Sequence, residues 1–166
     1  MPHSRTLKSA FSVLGDLPAV MVVLVLLIVI SRSNYLLFHS LVEGGIAAAS
    51  LNAFAFAWNS RRFEHGYLLL IGIAYFFNGL LGFLHALAYQ GMGVFPNHDG
   101  ANLAPQLWIA SRYLVAITLL VAPYYFRRRL PTAPAFAVLT VITTALITAI
   151  FTGNFPTCYV TGQGLT

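Results

Sequence analysis

The chain has 166 residues, 58% hydrophobic and only 8% charged, with a net charge of +5 and a mean hydropathy of +0.79. Soluble domains carry roughly 25% charged residues, so an ordinary globular core is excluded. The basic balance sits in short loops, which fits membrane topology rather than nucleic acid, and the single cysteine, Cys158, excludes an internal disulfide and a cysteine-based zinc site.

A membrane-spanning helix needs about 20 mainly apolar residues at a rise of about 1.5 Å each. Residues 1–10, with Arg5 and Lys8, read as a short basic N-terminus. The apolar core Leu17–Ile30 has no small-residue cleavage pattern after it, so 11–31 is expected to be a retained first helix and not a signal peptide. A polar turn, Ser31–Asn34, leads to a second span at 34–58, and the charged loop Asn59–Gly66 leads to a third at 67–90. The Gly/Pro/Asn stretch Gly91–Pro105 reads as a longer loop before a fourth span at 106–126. Arg127–Pro131 is a basic stop, 133–152 a fifth span, and 153–166 an extracytoplasmic tail. The expectation is an all-α polytopic transmembrane bundle of five helices over 11–152, with no internal repeat.

Arg5, Lys8, Arg61, Arg62, Arg127, Arg128 and Arg129 fall on one set of alternate loops, against Arg32 alone on the other. The positive-inside bias then places the N-terminus in the cytoplasm and the C-terminal segment outside. Tyr35, Tyr89 and Trp108 would lie near the outer surface and Trp58, Tyr67, Tyr124 and Tyr125 near the inner one, as anchoring aromatics do.

Ionisable side chains cost at least about 2.5–3.5 kcal/mol at the middle of a spanning helix, so they face the interior and find partners. The second span carries His39 and Glu43, the third Asn78 and His85, and the fourth Trp108 and Arg112. Counting from the helix ends, His39 and Glu43 lie roughly 8 and 14 Å below the outer surface, His85 roughly 8 Å and Arg112 roughly 9 Å. His39 and Glu43, four apart, share a face; Asn78, Gly82, His85 and Tyr89 form one stripe on the third span, and Trp108 and Arg112 pair on the fourth. Together they predict a polar pocket in the outer leaflet, with the small residues of Glu43–Ser50 (EGGIAAAS) letting neighbouring helices close around it. A Glu43–Arg112 pair that merely staples helices is the competing reading.

Two histidines and a carboxylate also make a metal set from His39, Glu43 and His85, and His39 with His85 could equally be axial ligands of a haem b. His3, His65 beside Glu64, and His98–Asp99 are adequately explained by a terminus, a headgroup-level loop and turn chemistry. No Ser/His/Asp grouping, phosphate-binding glycine loop or carboxylate pair is present, so an enzyme is not expected. A transporter fragment is a third reading, opposed by the lack of inverted repeats.

The stretches FHSLVE (Phe38–Glu43), WNSRRFEHGYLLLIGIAY (Trp58–Tyr75), HALAYQGMGVF (His85–Phe95), LWIASRYL (Leu107–Leu114) and GQGLT (Gly162–Thr166) together resemble the MASE3 family of membrane-associated sensor domains, from about Tyr35 to the end. The resemblance implies an input module of bacterial signalling proteins in the cytoplasmic (inner) membrane. It would contact lipid and an unidentified small ligand and pass its signal to a histidine kinase, diguanylate cyclase or PAS module in cis; the class also admits a homodimer. The family marks His39, Glu43, Trp58, Asn59, Arg61, Arg62, His85, Gly91, Met92, Gly93, Trp108 and Arg112. Val115 stands where many relatives carry an acidic residue, and relatives continue past GQGLT, so the chain is expected to be a fragment.

Overall fold

The computed structural model describes residues 3–62, 66–160 and 162–166, with side chains from residue 17 onward. Glu64 and His65 lie outside the described residues, as do the side chains of His3, Arg5 and Lys8. Among the described residues there are five α-helices: α1 (His3–Ser33), α2 (Tyr35–Ser60), α3 (Gly66–Ala88), α4 (Gly100–Val121) and α5 (Thr132–Phe151). A 3₁₀ turn, Ala122–Tyr125, prolongs α4, and two short antiparallel strands, β1 (Tyr159–Val160) and β2 (Gly164–Leu165), pair Tyr159 with Leu165. The fold is all-α, and α2 to α5 are each long and apolar enough to cross a membrane; the described apolar part of α1, Leu17–Ser33, is shorter.

The chain divides into two compact units, Met1–His39 and Ser40–Thr166. In the first, the described side chains of α1 include Val20, Met21, Val22, Val23, Ile28 and Val29, all exposed, so the stretch Leu17–Ile30 is apolar on every side, as a helix bathed in lipid is.

The second unit is built around α3. Ile73 and Leu81 of α3 and Leu107 of α4 are completely buried, and Ala74, Phe77, Ala104, Ala110 and Leu114 join them in one cluster. Leu139 and Ile150 of α5 extend it. Phe54, Phe76, Phe77 and Phe136 interlock with ring centroids 5.0–6.5 Å apart, in tilted geometries that avoid the unfavourable face-to-face sandwich.

The α2–α3 contact corrects one expectation. Gly44 and Gly45 look onto open space, with nothing within 4 Å of the position a Cβ would take. The close approach is made by α3 glycines instead: a methyl at Gly72 would overlap Ala57, and one at Gly79 would come within 3.2 Å of the Ser50 Cβ. The small run of α2 does take part, through Ala47 and Ser50, but the glycines that matter face it from the other helix.

α4 begins six residues before the expected fourth span. Asp99 is its N-cap, its Oδ1 accepting from the Ala101 N–H at 3.0 Å, and Pro105, expected to close a loop, lies inside the helix. A carboxylate cap satisfies an orphan donor and suits the helix N-terminus, which outweighs a proline close to the first turn. The loop before it is set by Gly91 and Gly93, at φ 99° and 68°, a region other residues avoid.

The C-terminal segment is clamped to the start of α4. Asn102 Oδ1 accepts from the backbone N–H of both Cys158 and Tyr159 (2.9 and 3.0 Å), and Gln106 Nε2 donates to the carbonyls of Pro156 (2.9 Å) and Phe155 (3.3 Å). His98 Nε2 lies 3.2 Å from the Phe151 carbonyl. These contacts order a stretch whose sequence shows only turn residues.

Candidate functional site

At the end of the second unit where α3 stops and α4 starts, Gly100 packs so tightly that a Cβ would lie 3.0 Å from the Ala88 carbonyl. One turn further along each helix, this seating brings His85 beside Ala104. His85 Nδ1 is 2.8 Å from the Ala104 carbonyl oxygen, and a carbonyl only accepts, so Nδ1 carries the proton. The ring orientation and tautomer are thereby fixed, and Nε2 is aimed at Glu43 of α2, 3.9 Å from its Oε1. The two side chains are only 9% and 13% exposed, in a chain that is 8% charged. A carboxylate held this deep needs a reason.

Asn78 lies two turns before His85 on the same face of α3. Its Nδ2 donates to Ser50 Oγ at 3.0 Å, while its buried Oδ1 has no hydrogen-bond partner among the described residues. Ser40 Oγ donates to Met92 Sδ at 3.7 Å, linking α2 to the glycine-bounded loop after α3. His39 is half-buried, its ring stacked on Tyr35 with centroids 6.4 Å apart, and α2 continues unbroken from it to Glu43 one turn later.

Trp108 and Arg112 do not join this group. Both are exposed on α4, the guanidinium lying over the Trp108 ring at 5.2 Å from its centroid. Among the described residues the close polar contact of the Glu43 carboxylate is with His85, so neither a Glu43–Arg112 staple nor a pocket closed by Arg112 is formed. The reason is the helical phase of α4: Leu107, Ala110, Ser111 and Leu114 occupy its buried side, and Trp108 and Arg112 fall on the other.

The opposite end is basic. Arg61, Arg62, Arg127, Arg128 and Arg129 line a cleft of about 790 Å³. Arg61 lies over Trp58 at 4.7 Å and donates to its carbonyl, and Arg128 pairs with Tyr124. Gly66 starts α3 hard against this loop, where a Cβ would lie 2.6 Å from the Arg128 carbonyl.

Ser50, Ala104, Asn102 and Gln106 escaped the sequence reading. A backbone acceptor such as Ala104 leaves no trace in a sequence. Asn102 and Gln106, polar and four apart, carried a usable signal once α4 was known to begin at Gly100.

The family model for a membrane-associated sensor domain, MASE3, matches residues 30–166. No curated protein and no solved structure matches the chain.

Proposed function

The chain belongs to the MASE3 family of membrane-associated sensor domains, and we propose that it is the input module of a bacterial signalling protein, in which Glu43 and His85 form the core of the site that receives the signal. It is a multi-pass membrane protein by family and by its four spanning-length helices. In our reading it resides in the inner membrane, with the arginine-lined end in the cytoplasm, as the positive-inside bias requires. A histidine kinase or diguanylate cyclase module in cis, with PAS domains between, would take the output.

The observation that carries this reading is the Glu43–His85 pair, nearly buried at the end away from the arginines. Membrane-embedded ionisable groups persist where a function holds them. Asn78, on the same stripe as His85, belongs to the proposed site. A ligand there would bear on the seam between α2, α3 and the start of α4, and it can shift that packing only by binding one arrangement more tightly than another. Arg112 and Trp108, exposed on α4, are better suited to the membrane–water boundary.

The test is His85→Ala, and separately Glu43→Gln, in a full-length sensor carrying this domain. Loss of response at normal expression is expected; wild-type response at wild-type expression would remove the site from signal reception.

A haem-binding bundle is less compatible with the geometry. Iron bonded to His85 Nε2 would need a porphyrin-sized slot before the ring, and the Glu43 carboxylate stands there at 3.9 Å.

A further inference from the structure

We propose that the arginine-lined cleft is a specific lipid site. It binds the headgroup of an anionic phospholipid with two phosphodiesters, of the diphosphatidylglycerol class, and the acyl chains lie along apolar grooves on its two flanks. The site is at the other end of the second unit from the Glu43–His85 pair and does not rest on the sensory reading.

Charge comes first. The two loop sequences that supply Arg61, Arg62, Arg127, Arg128 and Arg129 contain one acid, Glu64. All five arginines are exposed, and among the described residues none has an ion-pair partner. Guanidinium groups crowded around one cleft of about 790 Å³ repel one another unless an anion lies between them. Two of them are held in place beforehand, Arg61 by the Trp58 ring and carbonyl and Arg128 by the Tyr124 ring and hydroxyl. A guanidinium ordered in advance loses less freedom on binding, and its planar fork matches phosphate oxygens two at a time. Gly66, the first residue of α3, also lines the cleft, where the positive end of the helix dipole favours an anion.

The surroundings say what carries the phosphate. Leu130 belongs both to the cleft and to an apolar groove of about 290 Å³ between α4 and α5, walled by Ile117, Val121, Val138 and Ile142. Those four side chains are exposed on helices of spanning length, so acyl chains are their solvent. Ile142 lies ten residues into α5. The groove therefore reaches about 15 Å from the loop, half of the ~30 Å hydrocarbon core and so the depth of one leaflet. On the other flank, Arg61 and Thr132 belong both to the cleft and to a second groove along Trp58, Phe136 and Ala137. A free phosphate or a nucleotide would leave both grooves unused.

Two grooves leaving one cleft set the number of phosphates. A lipid with one phosphodiester brings a single negative charge to five arginines, and its two chains leave together from one glycerol. Diphosphatidylglycerol brings two phosphodiesters on a short glycerol bridge, each with its own pair of chains, and so one half of the molecule for each groove. The orientation argued above puts the cleft at the cytoplasmic leaflet, whose anionic lipids attract basic segments next to spanning helices.

The experiment uses the purified full chain, delipidated in neutral detergent, with Trp108→Phe so that Trp58 at the second groove is the single tryptophan. It is titrated with diphosphatidylglycerol, phosphatidylglycerol or phosphatidylcholine, each with brominated chains, and inorganic phosphate is added as a competitor. Saturable quenching of Trp58 by diphosphatidylglycerol is expected, with weaker binding of phosphatidylglycerol and none of phosphatidylcholine. Arg127→Gln combined with Arg129→Gln should weaken binding about 30-fold, about fivefold for each arginine lost. Arg112→Gln, outside the cleft, should bind as the parent does. Equal quenching by all three lipids overturns the site, and equal affinity for the two anionic lipids overturns the two-phosphate headgroup; both comparisons keep every arginine, so no variant's folding enters them. Displacement of the lipid by an equal concentration of inorganic phosphate would make the cleft a free-anion site. Binding of a polyglutamate peptide with no lipid preference would assign it to an acidic protein segment instead.

Discussion

Asn102 shows how much one side-chain oxygen can hold. It accepts from two successive backbone N–H groups, Cys158 and Tyr159, and so tethers the whole C-terminal segment to α4. Neutral hydrogen bonds contribute about 0.5–1.5 kcal/mol each, so Asn102→Ala should cost about 1–3 kcal/mol locally and raise amide exchange at both positions. Cys158 offers a direct readout. Burial pushes its thiol above the ordinary range, which lowers the thiolate fraction at neutral pH and keeps maleimide labelling slow. Labelling should quicken in Asn102→Ala and should rise with pH in both proteins, later in the wild type; equal rates at pH 7 would dissolve the clamp. The Ser50–Asn78 bond is a milder case. Ser50→Ala should lower stability by about 0.6–1.7 kcal/mol, the range of interhelical hydrogen bonds in membranes, measured by denaturation in detergent.

Helices reveal their contacts less readily than their existence. Long apolar runs bounded by Ser31–Asn34, Asn59–Gly66 and Arg127–Pro131 mark where they lie, and α2, α3 and α5 fall within two residues of the ranges read from sequence. The start of α4 is hidden in the sequence, because Gly91–Pro105 has the composition of a loop and an aspartate before a glycine suits a turn as well as an N-cap. Which glycines matter was not legible at all. Gly44–Gly45 and Gly72 look alike in an apolar run; only the facing helix distinguishes them. Gly72→Ala should therefore destabilise by about 1–3 kcal/mol through overpacking against Ala57, while Gly44→Ala should be neutral or slightly stabilising, as alanine is the better helix former. Comparing the two melting temperatures decides it: equal losses would mean that the α2–α3 seam lies elsewhere.

For the whole molecule, orientation is the first thing to measure. In a Cys158→Ser background, Asn97→Cys should react with an impermeant thiol reagent in intact cells, and the exposed Arg62→Cys should react only after permeabilisation. The reverse pattern would invert the topology and put the Glu43–His85 end in the cytoplasm. The sequence by itself determined the class: charge content and the lengths of apolar runs are set by what a bilayer solvates, so five helices, the family and the basic end followed without coordinates. It also named the residues that could carry chemistry, since each ionisable group in such a chain stands out singly. Only tertiary structure decided which of them meet. Helical phase turns Arg112 outward onto Trp108, and the seating of Gly100 on α3 brings the Ala104 carbonyl to His85 and aims its other nitrogen at Glu43. Phase and seating depend on the packing of facing surfaces, and no local pattern along one helix encodes the surface opposite.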